Sequence, residues 1–436
     1  MNDRSLGGNI IDQAFNNLSK ETLPMILVRK KPLGVVMLTI FTIALGCGYF
    51  FGAMMFTPSL PAITDYFDTS SSLSRMTVSS FFVTMAISQL IYGPASDKYG
   101  RKPLILIGSI IFALGSILCI LSHSIIFLIF SRAIQGLGAG ALITLARTLV
   151  HDSFRKEHFL KAVSWMSIFF AVAPAISPVI GGFLQFHFGW QSNFIFMFIF
   201  AVSLFIAVLF LLPETNKDKN PKAMNISHLV SNYLIVAKNK KFWIYLLFII
   251  TGLSGGISFD VIGSFILIKD YHLTSVAFGL ISTLLLMMII VSRFLTSMIL
   301  LKYIDKNKVI LFGLFLMFLS SNILIILDLL NLLGLFDLLF ILAIFFLACG
   351  IVIPISAANL LSLFDNMKGV ASAFYGSMQM CGIFLISIIA SSMNPSIGFM
   401  LSIISVLSVI SFIMGLRIFY KRNNLFKIRS NSIQSA

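Results

Sequence analysis

The chain is 436 residues long, 58% hydrophobic and only 11% charged, with a formal net charge of +15. A soluble domain carries about 25% charged residues, so soluble enzymes, nucleic-acid-binding proteins and secreted disulfide scaffolds are excluded. The apolar runs are unbroken rather than alternating, which excludes an outer-membrane barrel as well.

A bilayer-crossing helix needs about 20 apolar residues. Twelve such spans are predicted, near 35–56, 76–95, 104–121, 125–148, 159–185, 191–212, 242–267, 276–300, 309–328, 337–359, 370–392 and 397–420. Lys and Arg collect in alternate connections: Arg29, Lys30 and Lys31; Lys98, Arg101 and Lys102; Arg155, Lys156 and Lys161; Lys217, Lys219, Lys222, Lys238, Lys240 and Lys241; Lys302, Lys306 and Lys308; Lys368; and Arg417 to Arg429. The six opposite loops hold Arg75 and Lys269 alone. Because basic loops stay cytoplasmic, both termini are expected there. The asymmetry absorbs the excess charge, so the expected partners are the bilayer and a small molecule, with no nucleic acid and a monomeric chain.

The predicted organisation is an all-α membrane protein of two six-helix bundles: a tail 1–34, a first bundle 35–212, a cytoplasmic linker 213–241, a second bundle 242–420 and a tail 421–436. Gly140 in span 4 and Gly350 in span 10 occupy similar places and suggest a duplication. Two such halves form a known transporter architecture with a site near the midplane between them.

In chain order, polar residues precede span 1 and no cleavage motif follows it, so it is not read as a signal peptide. Span 1 carries Tyr49, Phe50, Phe51, Met54, Met55 and Phe56 and ends Thr57-Pro58-Ser59-Leu60-Pro61-Ala62. These aromatic and thioether groups suit an amphipathic ligand, and equally a lipid-facing surface. The loop after span 2 reads Gly93, Asp97, Gly100, Arg101 and Lys102 within ten residues. Span 4 carries Arg132, Gln135, Gly136 and Gly138, with Arg147 near its cytoplasmic end, where it is expected to snorkel. Span 5 carries Pro174 and Pro178, which bend a helix, then Gly181 and Gly182, which permit close contact with a helix of the other half.

Charges inside a span cost at least ~2.5–3.5 kcal/mol at the helix centre and are functional candidates. Arg132, Asp260 in span 7 and Arg293 in span 8 qualify. Asp260 lies roughly 13 Å of helix rise from the far end of its span. A carboxylate so placed can take up and release a proton, or else form a fixed pair with Arg132 or with backbone. Arg293 is expected in a rim salt bridge with Asp97 or Asp305. Gln89, Gln135, Asn359 and Gln379 are polar groups that can orient a ligand, and Tyr49, Met54 and Phe56 join Asn359 and Gln379 as candidate cavity lining. The histidines lack paired ligand spacing and the cysteines lie inside spans, so neither metal nor disulfide is expected. No phosphate-binding loop is present, which argues against an ATP-driven pump, and no nucleophile–base pair can be assembled for catalysis.

Residues 93–102 resemble the signature loop of the major facilitator superfamily, G-x-x-x-D-x-x-G-R-K, and Arg132 to Gly138 resemble its R-x-x-Q-G-x-G motif. Ala173 to Gly182 are similar to the A-P-x-x-x-P-x-x-G-G motif of proton-driven exporters. With the Pro-rich end of span 1, the chain more narrowly resembles the bicyclomycin/chloramphenicol-resistance branch of twelve-helix drug:proton antiporters. The resemblance implies a cavity lined by spans 1, 4, 7 and 10, a conformational latch at Gly93, Asp97, Gly100, Arg101 and Lys102, and a gating helix at Pro174, Pro178, Gly181 and Gly182. It implies no cofactor, with a proton gradient as the energy source. The branch carries an acid four positions before Pro58, where this chain has Met54, and Asp260 is expected to take over that proton-binding role. The function so implied is proton-coupled export of an amphipathic drug, siderophore or metabolite from a bacterial inner membrane. Uptake of a small anionic nutrient or iron–siderophore complex, and a non-transporting receptor on the same fold, remain open.

Overall fold

The computed structural model describes residues 32–153, 156–216, 219–364 and 367–434. Among these residues the secondary structure is entirely helical, as it must be where no water is available to satisfy open backbone groups. Eleven of these helices are long and apolar enough to cross a membrane, and Val172–Phe188 adds a shorter apolar stretch. That stretch belongs to span 5, whose helix runs Lys156–Phe188. Of the basic positions used to orient the chain, Arg29, Lys30, Lys31, Arg155 and Lys217 lie outside the described residues.

Spans 2, 3, 4 and 6 are Ser71–Tyr99, Arg101–Ile120, Ile125–Ser153 and Gln191–Leu211. Spans 9, 10 and 11 are Lys306–Leu329, Leu335–Leu361 and Lys368–Ser392. Several helices extend beyond their predicted ends. Span 1 does not stop at 56: Pro32–Met54 passes through a 3-10 turn, Thr57–Ser59, into Leu60–Tyr66. Pro58 and Pro61 each sit in the first turn of the segment they open, where a missing N–H costs nothing, so they kink the span instead of ending it. Span 7 runs Lys240–Ser258 and continues through two π-helical turns, Phe259–Gly263 and Ile266–Asp270. The linker is not all loop, because Asn225 caps a helix, Ile226–Ala237. Span 12 crosses at Ile397–Phe419, as predicted, and its helix continues to Gln434 through most of the predicted tail. Span 8, Ser275–Leu295, continues through a π turn, Thr296–Leu300, to Leu301–Tyr303.

The suspected duplication has a physical counterpart. A Cβ on Gly140 would overlap the Ser88 hydroxyl and press on the Met85 carbonyl oxygen. A Cβ on Gly350 would overlap the Ser292 hydroxyl and the Ile289 carbonyl oxygen in the same three-residue arrangement. Spans 4 and 10 therefore meet spans 2 and 8 through the same small-residue contact, the kind that lets backbones approach in lipid. The halves meet along two main seams, span 2 with span 11 and span 5 with span 8.

Candidate functional site

The motif in span 4 forms a packing node inside the first half. Arg132 is fully buried, and it donates to the carbonyls of Gly52 (2.8 Å) and Thr77 (3.3 Å) and to the Gln135 side chain. Its guanidinium lies 4.0 and 4.3 Å from the ring centroids of Phe56 and Phe81, with Phe194 at 5.9 Å. These carbonyls and aromatic faces stabilise the charge where no water reaches it. Gln135 donates onward to Ser116 (2.8 Å), while Gly136 and Gly138 let the Phe81 carbonyl and the Phe112 backbone approach. Arg132 and Gln135 are therefore not walls of an open cavity, and no Asp260–Arg132 ion pair is present. Phe56, expected as cavity lining, is instead part of the cage around Arg132.

Asp260 sits in the first π turn of span 7 and is 5% exposed. Its carboxylate makes no hydrogen bond or ion pair with any described residue, and the neighbouring hydroxyls of Ser258 and Ser264 are also buried without partners. Phe259 stacks on Phe278 of span 8 at 5.5 Å. The turn packs against the Thr57–Ser59 turn of span 1, three residues beyond Met54, where the resembled branch carries its acid. Single π turns inside α-helices recur at functional sites.

On the face opposite the basic loops, several contacts bind one half to the other. Arg75, expected in a loop, is fully buried in the first turns of span 2. It donates to the carbonyls of Ala390 (2.6 Å) and Met393 (2.5 Å) at the end of span 11, where helix carbonyls lack intrahelical partners. Ser72 donates to the Ser391 carbonyl and Ser79 shares a hydrogen bond with Ser387. Lys269 pairs with Asp65 at 2.5 Å on the exposed rim. Along the other seam, a Cβ on Gly182 would overlap the Ser275 carbonyl oxygen and one on Gly279 would overlap that of Pro178. Ser275 donates to the Gly182 carbonyl (3.0 Å) and Thr283 to that of Ala175. Gly181, expected to face the other half, packs against the Met55 carbonyl of its own half.

On the basic face, Asp97 pairs with Arg101 (2.6 Å), and Arg101 also donates to the Ser96 hydroxyl. Glu214, just past span 6, accepts from the backbone N–H groups of Arg101 (2.9 Å) and Lys102 (3.2 Å), capping span 3. Gly100 has φ +108°, and a Cβ there would run into that carboxylate. Lys102 donates to the Leu209 carbonyl (2.9 Å). Gly93 meets Ala373 of span 11, whose Cβ lies 3.8 Å from where a Gly93 Cβ would be. Tyr233 of the linker helix donates to the Leu90 carbonyl (3.3 Å) and stacks on Phe374 (5.6 Å).

Arg293 does not form the expected rim bridge. Asp97 is held by Arg101 and Asp305 caps Asn307, and the Arg293 Nε is buried without a partner. Arg147 does not snorkel either. Its Nη1 and the Gln89 Oε1 lie 2.9 and 2.6 Å from where a Cβ on Gly376, in span 11, would stand. Of the other candidate lining residues, Tyr49 and Asn359 are buried and Met54 and Gln379 half-buried; the Asn359 Nδ2 has no partner. Sequence reasoning missed Arg75 as a cross-half contact and Glu214 as a helix cap. For Glu214 the signal is an acid placed immediately after a span, next to a basic helix start.

The family model described as Major Facilitator Superfamily matches residues 42–387. The chain is 28% identical over 342 residues to a bicyclomycin resistance protein homolog of Haemophilus influenzae, a match covering 78% of this chain and 85% of that one. It is 27% identical over 388 residues to multidrug resistance protein MdtL of Salmonella typhi, covering 83% and 91%. It is 31% identical over 212 residues to multidrug resistance protein D of Escherichia coli, covering 48% and 53%. A crystal structure of a D-xylose-proton symporter superposes with a TM-score of 0.70 at 15% identity, covering 87% of this chain and 97% of that one, a likeness of fold.

Proposed function

The chain belongs to the Major Facilitator Superfamily, and on that premise we propose that it is a proton-coupled exporter of amphipathic small molecules, of the bicyclomycin/chloramphenicol-resistance type. It is a multi-pass protein of the bacterial inner membrane, a transporter and not an enzyme. The relatives named for bicyclomycin and multidrug resistance support the export reading. Two six-helix halves, 35–212 and 242–420, rock about a site between them, with the basic face and both termini in the cytoplasm. In this conformation the two seams hold the far face together. Export then requires the Arg75, Asp65–Lys269 and Gly182 contacts to part while the Gly93–Ala373 contact on the basic face holds.

The observation that carries the proton coupling is Asp260, a buried carboxylate without a described partner, in a π turn packed on the proline turn of span 1. A carboxylate in that position binds a proton when water withdraws from it and releases the proton when water returns. Arg132 serves by bracing span 1 to spans 2 and 4, which transmits movement of one to the others.

The test is energy-dependent efflux of ethidium and of neutral drugs from cells lacking their major pumps. Asp260→Asn is expected to abolish uphill efflux and leave substrate exchange and protein level intact. Full uphill efflux by that variant removes Asp260 from the coupling; gradient-driven accumulation inside the cell would replace export by uptake.

A further inference from the structure

We infer that Tyr233 of the linker helix is a positioning residue for transport: it straps the basic-face ends of spans 2 and 11 together and so sets how readily that face opens. The inference rests on the transport reading and gives the linker a part in the conformational cycle.

The linker is divided between the two halves. Its first part belongs to the first half. The Asn216 amide donates to the Ser96 and Asp97 carbonyls (both 3.1 Å), the Asn220 N–H donates to the Asp97 carbonyl (3.0 Å), and a 3-10 turn, Pro221–Met224, packs on span 2. Asn225 then caps the helix Ile226–Ala237, which packs on spans 11 and 7. Trp243, at the start of span 7, donates its indole N–H to the Ala237 carbonyl (2.7 Å) and ties the two helices together. The linker helix is thus joined to the second half, and Tyr233 is where it grips the first.

The grip uses an acceptor that the sequence frees. Pro94 lies inside span 2 and has no N–H, so the Leu90 carbonyl loses the donor that a regular helix supplies four residues on. The Tyr233 hydroxyl donates to that carbonyl at 3.3 Å. The same ring stacks on Phe374 of span 11, with centroids 5.6 Å apart and planes at 26°. Phe374 is 8% exposed and is also packed by Phe242 at 5.4 Å, so it is a fixed surface to stack on. Leu90 stands one turn before Gly93, and Phe374 adjoins Ala373. The two contacts of one side chain therefore lie beside the Gly93–Ala373 contact between the halves. Opening the basic face separates Leu90 from Phe374, and one rigid ring cannot follow both. Export needs this face shut while the far face opens, and the strap favours that state. Entry of substrate from the basic side needs the strap released.

The experiment uses the full chain with its four cysteines replaced by alanine. A single cysteine is then placed at Ser377, 1% exposed and bonded to the Ala86 carbonyl on the basic side of the seam, or at Ser79, 3% exposed on the far side. Labelling by a membrane-impermeant maleimide is timed in inside-out vesicles for position 377 and in intact cells for position 79. Y233F keeps the ring and removes the bond. It is expected to speed labelling at 377 about two- to tenfold, the worth of one hydrogen bond, and to slow labelling at 79 by a similar factor. F374L removes the stacked ring and is expected to act in the same direction. The double variant should exceed the stronger single variant by less than about twofold, because a strap released at one end holds nothing. R75Q, which loosens the far face, is expected to move both rates the opposite way. A purely structural role for Tyr233 would lower the melting temperature and speed labelling at both positions, which overturns the inference. So does a Y233F chain with unchanged rates while R75Q shifts them, and the rocking of the halves then stands. Rates that neither variant moves overturn the strap and the rocking together. Opposite shifts at the two positions in Y233F, without transport of any solute, keep the strap and remove the transport reading.

Discussion

Arg75 and Ala390 are joined by a 2.6 Å hydrogen bond from a guanidinium to a carbonyl, across the seam between the two halves. The same guanidinium reaches the Met393 carbonyl and lies 5.6 Å from the ring centroid of Phe265. One fully buried side chain of span 2 thereby caps span 11 and faces span 7, and all of these contacts must break when the far face opens.

Arg75→Gln leaves span-11 carbonyls without donors and costs the closed seam about 1–3 kcal/mol. The open-outward state should gain about fivefold or more in population. A cysteine at Ser79, 3% exposed in the seam, reports this through its rate of labelling by a membrane-impermeant maleimide applied from outside. Equal labelling rates with and without the Arg75→Gln change would show that the cap does not hold the seam.

The close approach of spans 5 and 8 predicts a different phenotype. Gly182→Val and Gly279→Val each place a side chain against a carbonyl of the opposing half. Transport should fall to near background at normal membrane abundance, because the two helices can no longer close on each other. Gly256→Ala, with open space around its Cβ, is the control and should behave as wild type. Full transport by Gly182→Val would dismiss this seam as a gate.

At the basic face, Gly100→Ala combines a left-handed backbone with a collision at the Glu214 carboxylate. The expected loss of stability is about 1–3 kcal/mol, read as a lower melting temperature in nanodiscs. Glu214→Ala should lower it too, since two N–H groups at the start of span 3 lose their acceptor. The double variant should cost less than the sum, because removing the carboxylate relieves the collision. Strict additivity would mean the two positions act independently.

Burial, with Asp97 nearby, pushes the Tyr233 hydroxyl from 10.0 up to about 12. A raised folded-state value means that the stability supplied by the protonated hydroxyl is complete below pH 10 and is lost as pH rises through about 12. Tyr233→Phe keeps the stacking on Phe374 but loses the bond to Leu90, which costs about 0.5–1.5 kcal/mol. The melting-temperature gap between wild type and this variant should therefore stay constant from pH 7 to 10 and narrow above it. A gap that narrows below pH 9 would place the hydroxyl in solvent and undo the docking of the linker helix on span 2.

By itself, the sequence determined that the chain is helical and crosses a membrane many times, because uninterrupted apolar runs admit no other backbone that satisfies its own hydrogen bonds. It also located the tight turn at Gly100 and the contact glycines, whose small size is a property of the residue itself. Even there it paired Gly181 with the wrong half, since spacing along a helix does not say which neighbour lies on which side. The tertiary structure decided where the charges go. Arg75 reads as a loop residue among serines because its partners are backbone carbonyls some three hundred positions away, and a carbonyl leaves no mark in a sequence. Arg132 and Asp260 read as a pair because opposite charges in an apolar setting suggest one. Arg132 instead found carbonyls and aromatic rings within its own half, while Asp260 and Arg293 were left without described partners. Helix packing sets these distances, and only side chains brought within a few ångströms can compensate a buried charge.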